Sequence, residues 1–268
     1  MKKYFTVLSI AGTDSGGGAG LPADIKAISA CGAYASCVVT AVTVQNTLGV
    51  QGVFDIPPEI IKGQISTVLD DIGADSIKIG MLSKKETVEA VADTLKKYDI
   101  KNIVLDPVMV STSGHTLLDA AASESLTQKL FPLAKIITPN IPEAEALLGE
   151  KISKQSQMEM FAEKISQIVG NSVLLKAGHF ADEILFDVFY NAETKQITKF
   201  KKQRIDSVNT HGTGCSLSSS LAAYLAHGFS MEQSVEMSET YIENAIIQGK
   251  DFKIGHGHGP VKHFWKFW

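Results

Sequence analysis

A chain of 268 residues with 44% hydrophobic and 20% charged side chains has the make-up of a globular protein able to bury a sizeable core. Its 25 Lys and Arg against 29 Asp and Glu give a formal charge of -4 with no long run of either sign, which argues against a nucleic acid or a membrane surface recognised through bulk charge. Cys31, Cys37 and Cys215 form an odd set without Cys-x-x-Cys spacing, so neither a disulfide framework nor a zinc site is indicated, and a reducing cytoplasm is the expected compartment.

The first twelve residues carry two lysines and then a short apolar run. That run is strand-length, lacks a small-residue cleavage pattern and leads straight into Thr13-Asp14-Ser15 and a glycine loop, so it reads as a buried first strand rather than a secretory signal. No apolar stretch approaches the length of a membrane-spanning helix. Continuous apolar runs at 5–11, 36–44, 76–79, 102–105, 135–138 and 172–175 predict parallel strands covered on both faces. Between them lie helical patterns. Segment 57–72 opens with Pro57 and Pro58 and sets Ile60, Ile61, Ile65, Val68, Leu69 and Ile72 at helical spacing. Further helices fit 23–31, 84–98, 120–131, 156–169, 214–227 and 231–248. The alternation implies right-handed crossovers and an α/β fold: a three-layer α/β/α sandwich with a mostly parallel central sheet, in a single domain over 1–268. Segments 183–191 and 196–203 read as a hairpin around Ala192-Glu193-Thr194-Lys195, which would give the sheet an antiparallel edge.

Four loops are rich in glycine, and three of them directly follow predicted strands, where open α/β sheets bind ligands. The first is Gly12-Thr13-Asp14-Ser15-Gly16-Gly17-Gly18-Ala19-Gly20. Within it Gly18-x-Gly20-x-x-Ala23 satisfies a loose dinucleotide fingerprint, so an oxidoreductase competes, although no acidic residue for a ribose occurs between Asp24 and Asp55. A loop that merely turns the chain is the plainer alternative. No Gly-x-x-x-x-Gly-Lys-Ser/Thr occurs. The last loop, Asn209-Thr210-His211-Gly212-Thr213-Gly214-Cys215-Ser216, precedes an apolar helix, so converging amides and the helix N-terminus would make an anion site. Cys215 would stand in the first turn, where a thiol pKa is expected to be lowered; a small buried packing residue is the blander reading.

Taken together, Ile10 to Gly20, Thr40-Ala41-Val42-Thr43-Val44-Gln45-Asn46-Thr47, Lys78-Ile79-Gly80-Met81-Leu82, Asp106-Pro107-Val108-Met109, Thr138-Pro139-Asn140-Ile141-Pro142-Glu143 and Asn209 to Cys215 resemble the successive signatures of hydroxymethylpyrimidine and phosphomethylpyrimidine kinases, a ribokinase-like family. The resemblance implies ATP-dependent phosphorylation of 4-amino-5-hydroxymethyl-2-methylpyrimidine and its monophosphate for thiamine synthesis, with Mg2+ and a homodimer. It assigns Gly12, Asp24, Gln45, Met81 and Val108 to the pyrimidine. An amide and a carboxylate complement the ring nitrogen and exocyclic amine of such a ring. It gives Asp106 and Glu143, with Asn140, to magnesium, and Lys176 to the ATP phosphates. The Gly212, Thr213 and Gly214 loop would stabilise the moving phosphoryl group, and Cys215 would take the hydroxymethyl proton as thiolate. Pro22 and Ala177 depart from the pattern and bear on substrate fit or loop geometry. A pyridoxine or pyridoxal kinase is the alternative within the same superfamily. His256, His258 and His263 read as part of a terminal loop rather than a metal site.

Overall fold

The computed structural model describes residues 3–109 and 120–268. Among the described residues the strands are β1 (Thr6–Ala11), β2 (Tyr34–Val39), β3 (Ala41–Asn46), β4 (Gly49–Asp55), β5 (Ser76–Ile79), β6 (Ile103–Leu105), β7 (Ile136–Ile137), β8 (Ser172–Leu175), β9 (Ile184–Tyr190) and β10 (Ile197–Gln203). Its α-helices are α1 (Gly20–Ala30), α2 (Pro58–Asp71), α3 (Lys85–Leu95), α4 (Ala120–Ser125), α5 (Ile141–Leu148), α6 (Met158–Val169), α7 (Thr213–Ala226) and α8 (Met231–Gly249). Eight strands form one sheet in the order β10-β9-β8-β7-β6-β5-β1-β2. It is parallel from β2 through β8, and β9 and β10 add the expected antiparallel edge.

Alternation along each strand builds the layers. Leu8, Ile10, Ile77, Ile79, Ile103, Leu105, Val173 and Leu175 face one side and share a core with α2, α3, α5 and α6. Val7, Val104, Ile136 and Leu174 face the other and pack on α1, α7 and α8. Each fully buried Leu or Ile contributes about 1.5–3 kcal/mol by leaving water. Helix α2 is typical of the covering layer: Pro58 opens it, and Ile61, Ile65 and Leu69 recur every fourth residue on its buried side.

Several boundaries differ from the sequence expectations. The apolar run 36–44 is two strands in different sheets, because the chain leaves the main sheet at Thr40, whose N–H donates to Ala11 O while its carbonyl accepts from Ile56. Strand β3 then pairs antiparallel with β4, which Gly49 and Gly52 disguise in sequence, to make a separate two-stranded ribbon. Helix α1 begins at Gly20, ahead of the expected start. Segment 120–131 is a short α-helix that passes into a π turn over Leu126–Leu130 and a 3-10 turn over Phe131–Leu133. Helix α5, absent from the periodicity reading, is set by a capping box in which Asn140 Oδ1 accepts from the Glu143 N–H and Glu143 Oε2 from the Asn140 N–H.

Candidate active site

The carboxyl ends of the parallel strands deliver the chemistry-bearing side chains to one edge of the sheet, as open α/β sheets do. Asp106 follows β6, Thr138 and Asn140 follow β7, and Lys176 follows β8. Asp106 Oδ1 accepts from Lys176 Nζ and from Thr138 Oγ1, each at 3.0 Å. Lys176 is tied to the next loop as well, its N–H donating to Pro139 O and its backbone bridging to Asn140. Burial pushes the Glu143 carboxyl up to about 7; Lys176 opposes the rise and Asp106 adds to it. Two carboxylates therefore face one ammonium, and the corner is short of positive charge. Among the described residues no group of three or more His, Cys, Asp or Glu gathers as a metal cage. Two carboxylates supplemented by water nevertheless suit a hard divalent cation such as Mg2+.

Against this corner stands the N-terminus of α7. Gly212 caps it with φ +77°, and a Cβ there would lie 1.8 Å from Gly18 O, so a side chain would drive the two glycine-rich loops apart. A Cβ at Gly214 would lie 3.3 Å from Lys176 Nζ and 3.5 Å from Asp106 Oδ2, so the backbone of the first turn passes directly over the Lys176–Asp106 pair. First-turn amides have no partner within their helix, and the macrodipole adds positive potential. Gly214 and Lys176 thus stand together, with Gly212 and Thr213 in the turn that leads into the helix and the Thr213 N–H donating to Thr210 O.

The other glycine loop is organised by Asp14, which carries no role in the family pattern given above. Its Oδ1 accepts from the Gly16 N–H, and its Oδ2 accepts from the Gly18 and Ala19 N–H groups at 2.9 and 2.8 Å. His211 Nε2 lies 2.9 Å from the same Oδ2. Burial alone would raise the Asp14 pKa, but His211 and the loop amides outweigh it and hold the carboxyl below its ordinary value. These amides are spent on a side chain of their own loop rather than left for a pyrophosphate, so the dinucleotide fingerprint has a structural explanation. Gln45, at the end of β3, lies beside His211 and Thr43.

Gly12 and Met81 are neighbours: a Cβ on Gly12 would meet the Met81 side chain at 2.4 Å. Val108 stands two residues past Asp106, half-exposed, its N–H donating to Asp106 O. Pro22 is half-buried on α1. The Ala177 N–H donates to Asp187 Oδ1 at 2.7 Å, which fixes the backbone beside Lys176. The C-terminal histidines diverge: the His256 and His258 N–H groups bond Thr47, whereas His263 is buried with Nε2 3.0 Å from Ser216 Oγ.

Two expectations are corrected by the geometry. Asp24 does not face a ligand ring: it is fully enclosed, with Oδ1 taken by Lys78 and Ser219 and Oδ2 by Lys78 and Ser9. Strand alternation explains this. Lys78, between Ile77 and Ile79, points to the α1 and α7 side of the sheet, and a buried ammonium there requires a carboxylate partner. A lysine inside a four-residue apolar strand was the available signal. Secondly, the Cys215 thiol is not lowered. Burial pushes it up to about 11, with Asp24 and Asp106 adding to the rise, while Lys78 and an N–H from Gly20 oppose it. Desolvation outweighs the helix N-terminus, and the ligand-free protein holds a thiol at neutral pH.

The fold and this corner together define a small-molecule kinase of ribokinase-like architecture. The family described as phosphomethylpyrimidine kinase matches residues 14–262, and the chain belongs to that family. It is 42% identical to the hydroxymethylpyrimidine/phosphomethylpyrimidine kinase of Rhizobium meliloti over 97% of each chain. It is also similar to the crystal structure of a phosphomethylpyrimidine kinase from Clostridium difficile, with 42% identity, a TM-score of 0.80 and coverage of 90% of this chain and 99% of that one. A Bacillus subtilis pyridoxal kinase solved as an ADP complex superposes with a TM-score of 0.88 at 33% identity, covering 97% and 98% of the two chains. Membership of a kinase family removes the oxidoreductase alternative.

Proposed function

We propose that this chain transfers the terminal phosphoryl group of ATP to the hydroxymethyl group of 4-amino-5-hydroxymethyl-2-methylpyrimidine, and then to the resulting monophosphate, supplying the diphosphate for thiamine synthesis. The observation that carries the reading is the convergence of Lys176, Asp106 and the first turn of α7 on one point at the strand ends, where a Cβ on Gly214 would touch both side chains.

In this reading Lys176 draws the donor phosphates toward the sheet edge, held in place by its 3.0 Å pair with Asp106. The amides of Gly212 to Cys215 meet the charge that develops on the transferring group, where a fixed donor is worth more than a mobile water. Asp106 and Glu143 would hold Mg2+, partly through water, with Asn140 fixing the Glu143 carboxylate by the capping box. When bound, that ion neutralises charge between the donor phosphates. Gln45, Gly12 and Met81 wall the ring, with Val108 at the entrance. Cys215 lies beside the transfer point as a thiol, which already holds its proton, so the hydroxymethyl proton passes to an oxygen of the transferred phosphoryl group as the new P–O bond forms, and a loose transition state asks little of a base before that.

We further propose a cytoplasmic homodimer. The three free cysteines support the compartment. The ribbon supports the association: Val42, Val44 and Phe54 share its outer face, exposed by 46%, 59% and 69%, while Thr43 faces inward. A second copy is the occupant, and Val44→Lys is expected to shift sedimentation equilibrium toward monomer.

The deciding assay is steady-state phosphorylation with MgATP of the pyrimidine, its monophosphate and pyridoxal in parallel. Diphosphate formation from the monophosphate is expected. Turnover of pyridoxal alone would move the substrate assignment to vitamin B6 salvage.

A further inference from the structure

The contacts around Gln45 contain a mismatch that determines which way its amide must point. His211 Nε2 lies 2.9 Å from the Asp14 carboxylate. A ring nitrogen at that distance from an anionic oxygen carries a proton, because two lone pairs would repel. The Gln45 amide nitrogen lies 3.4 Å from the same His211 Nε2, which sets N–H against N–H. At the other end, the Gln45 oxygen is 3.3 Å from Thr43 Oγ1, whose single proton already has a closer acceptor in Thr13 O at 2.9 Å. The oxygen thus faces another oxygen without a proton between them. A half-turn of the amide about its Cγ–Cδ bond leaves its outline unchanged and repairs both contacts. The oxygen then accepts from His211 Nε2, and the nitrogen donates to Thr43 Oγ1.

We infer that Asp14, His211 and Thr43 lock the Gln45 amide with its oxygen on the His211 side and its nitrogen on the Thr43 side, and that this orientation selects an aminopyrimidine over its oxo analogue. The inference deepens the reading of Gln45 as a ring contact and rests on it. A half-buried amide in that orientation keeps one oxygen lone pair and one N–H for a ligand. A 4-aminopyrimidine offers an N–H donor next to a ring-nitrogen acceptor, which pairs with both. The 4-oxo analogue offers a carbonyl next to a ring N–H, so acceptor meets acceptor and donor meets donor. An amide free to rotate would serve either ring. Asp14 and His211 lie 197 residues apart, and Gln45 and His211 lie 166 apart, so the lock exists only in the folded chain.

The three residues are positioning residues, because they act through Gln45. The test compares kcat/KM for the 4-amino substrate and the 4-oxo analogue in wild type and variants. A site built to hydrogen-bond one ring rejects its mismatched analogue by about 10³-fold or more. His211→Phe and Thr43→Val are each expected to reduce the amino-to-oxo ratio at least tenfold, chiefly through KM. His211→Gln and Thr43→Ser, which keep the donor and the hydroxyl, are expected to hold the ratio within about threefold of wild type. An unchanged ratio in both disruptive variants overturns the lock. Nitrogen-15 NMR of the ligand-free wild type supplies a readout that needs no substitution: Nε2 of His211 is expected to be protonated at pH 7, and a bare Nε2 also overturns it. Gln45→Leu separates the two levels of the argument. If that variant retains normal turnover of the 4-amino substrate, the ring-contact reading fails and the lock with it. If it loses turnover while the His211 and Thr43 variants keep the ratio, only the lock fails.

Discussion

Lys176 and Lys202 are both largely buried, and each faces two carboxyl groups. Lys176 meets Asp106 and Glu143; Lys202 meets Asp187 at 2.6 Å and also Glu239. In both clusters one glutamate is pushed upward, Glu143 to about 7 and Glu239 to about 8, because burial and a second carboxyl outweigh a single ammonium. The charge arithmetic is the same and the location differs. The Lys176 cluster stands at the carboxyl ends of parallel strands beneath the amides of α7, where an anionic ligand and a cation together would complete it. The Lys202 cluster joins β9, β10 and α8 at the antiparallel edge, where nothing comparable faces it, and it braces the hairpin while Asp187 anchors the Ala177 N–H. A buried charge imbalance therefore does not identify a catalytic site. The strand ends and helix N-terminus around it do.

Substitutions can break or sharpen that contrast. The largest effect is expected from Lys176→Met, which should lower kcat/KM by roughly 10³-fold or more by removing a donor aimed at the transferring phosphates. Lys202→Met should do the reverse. Left with two uncompensated carboxyls, the fold should lose about 3 kcal/mol in urea unfolding, while kcat/KM stays within roughly fivefold. If Lys202→Met proved as inactive as Lys176→Met at full stability, the two clusters would be one catalytic unit linked through Asp187 and Ala177. A smaller effect is expected from Cys215→Ala. A thiol held near 11 is a poor base at neutral pH, so kcat should fall about tenfold, below the 10²–10⁴ of a matched general base. A loss beyond 10³-fold would reinstate Cys215 as the principal base.

The smallest expected effect is on the pH dependence of stability. An acid whose pKa is raised in the fold holds its proton more tightly there than in the unfolded chain. Glu239, raised from 4.5 to about 8, therefore makes the fold less stable as pH climbs through that window. Glu239→Gln, which cannot lose a proton, should flatten the decline, so that its thermal midpoint falls by about 2–6 °C less than that of wild type between pH 6 and 9. Parallel pH profiles of the two proteins would contradict the assignment of this slope to Glu239.

Much of the architecture was legible because it is written in local periodicity. Ser76–Ile79 and Ser172–Leu175 are continuous apolar runs with the bounds read from sequence, and α8 ends within a residue of its expected limit. The segments bearing Asp106, Asn140, Glu143 and Lys176 were also found, because each follows a strand signal and carries a family signature. What escaped was decided between distant residues. Whether 36–44 is one strand or two depends on hydrogen bonds from Thr40 to Ala11 and Ile56, which no run of β-branched residues encodes. Asp24 was assigned to the ring by the family resemblance and by the fit of a carboxylate to an exocyclic amine, and only the sheet geometry aims Lys78 at it across 54 residues. The direction of the Cys215 shift likewise needed the folded surroundings, since a helix N-terminus predicts a lower thiol pKa and enclosure predicts a higher one. Sequence alone determined most of the parallel strands and the longer helices, the order of the signatures and the family, because these depend on neighbours along the chain. The tertiary structure decided which charges are paired and which amides are spent, because hydrogen-bond and electrostatic partners are chosen by distance in space.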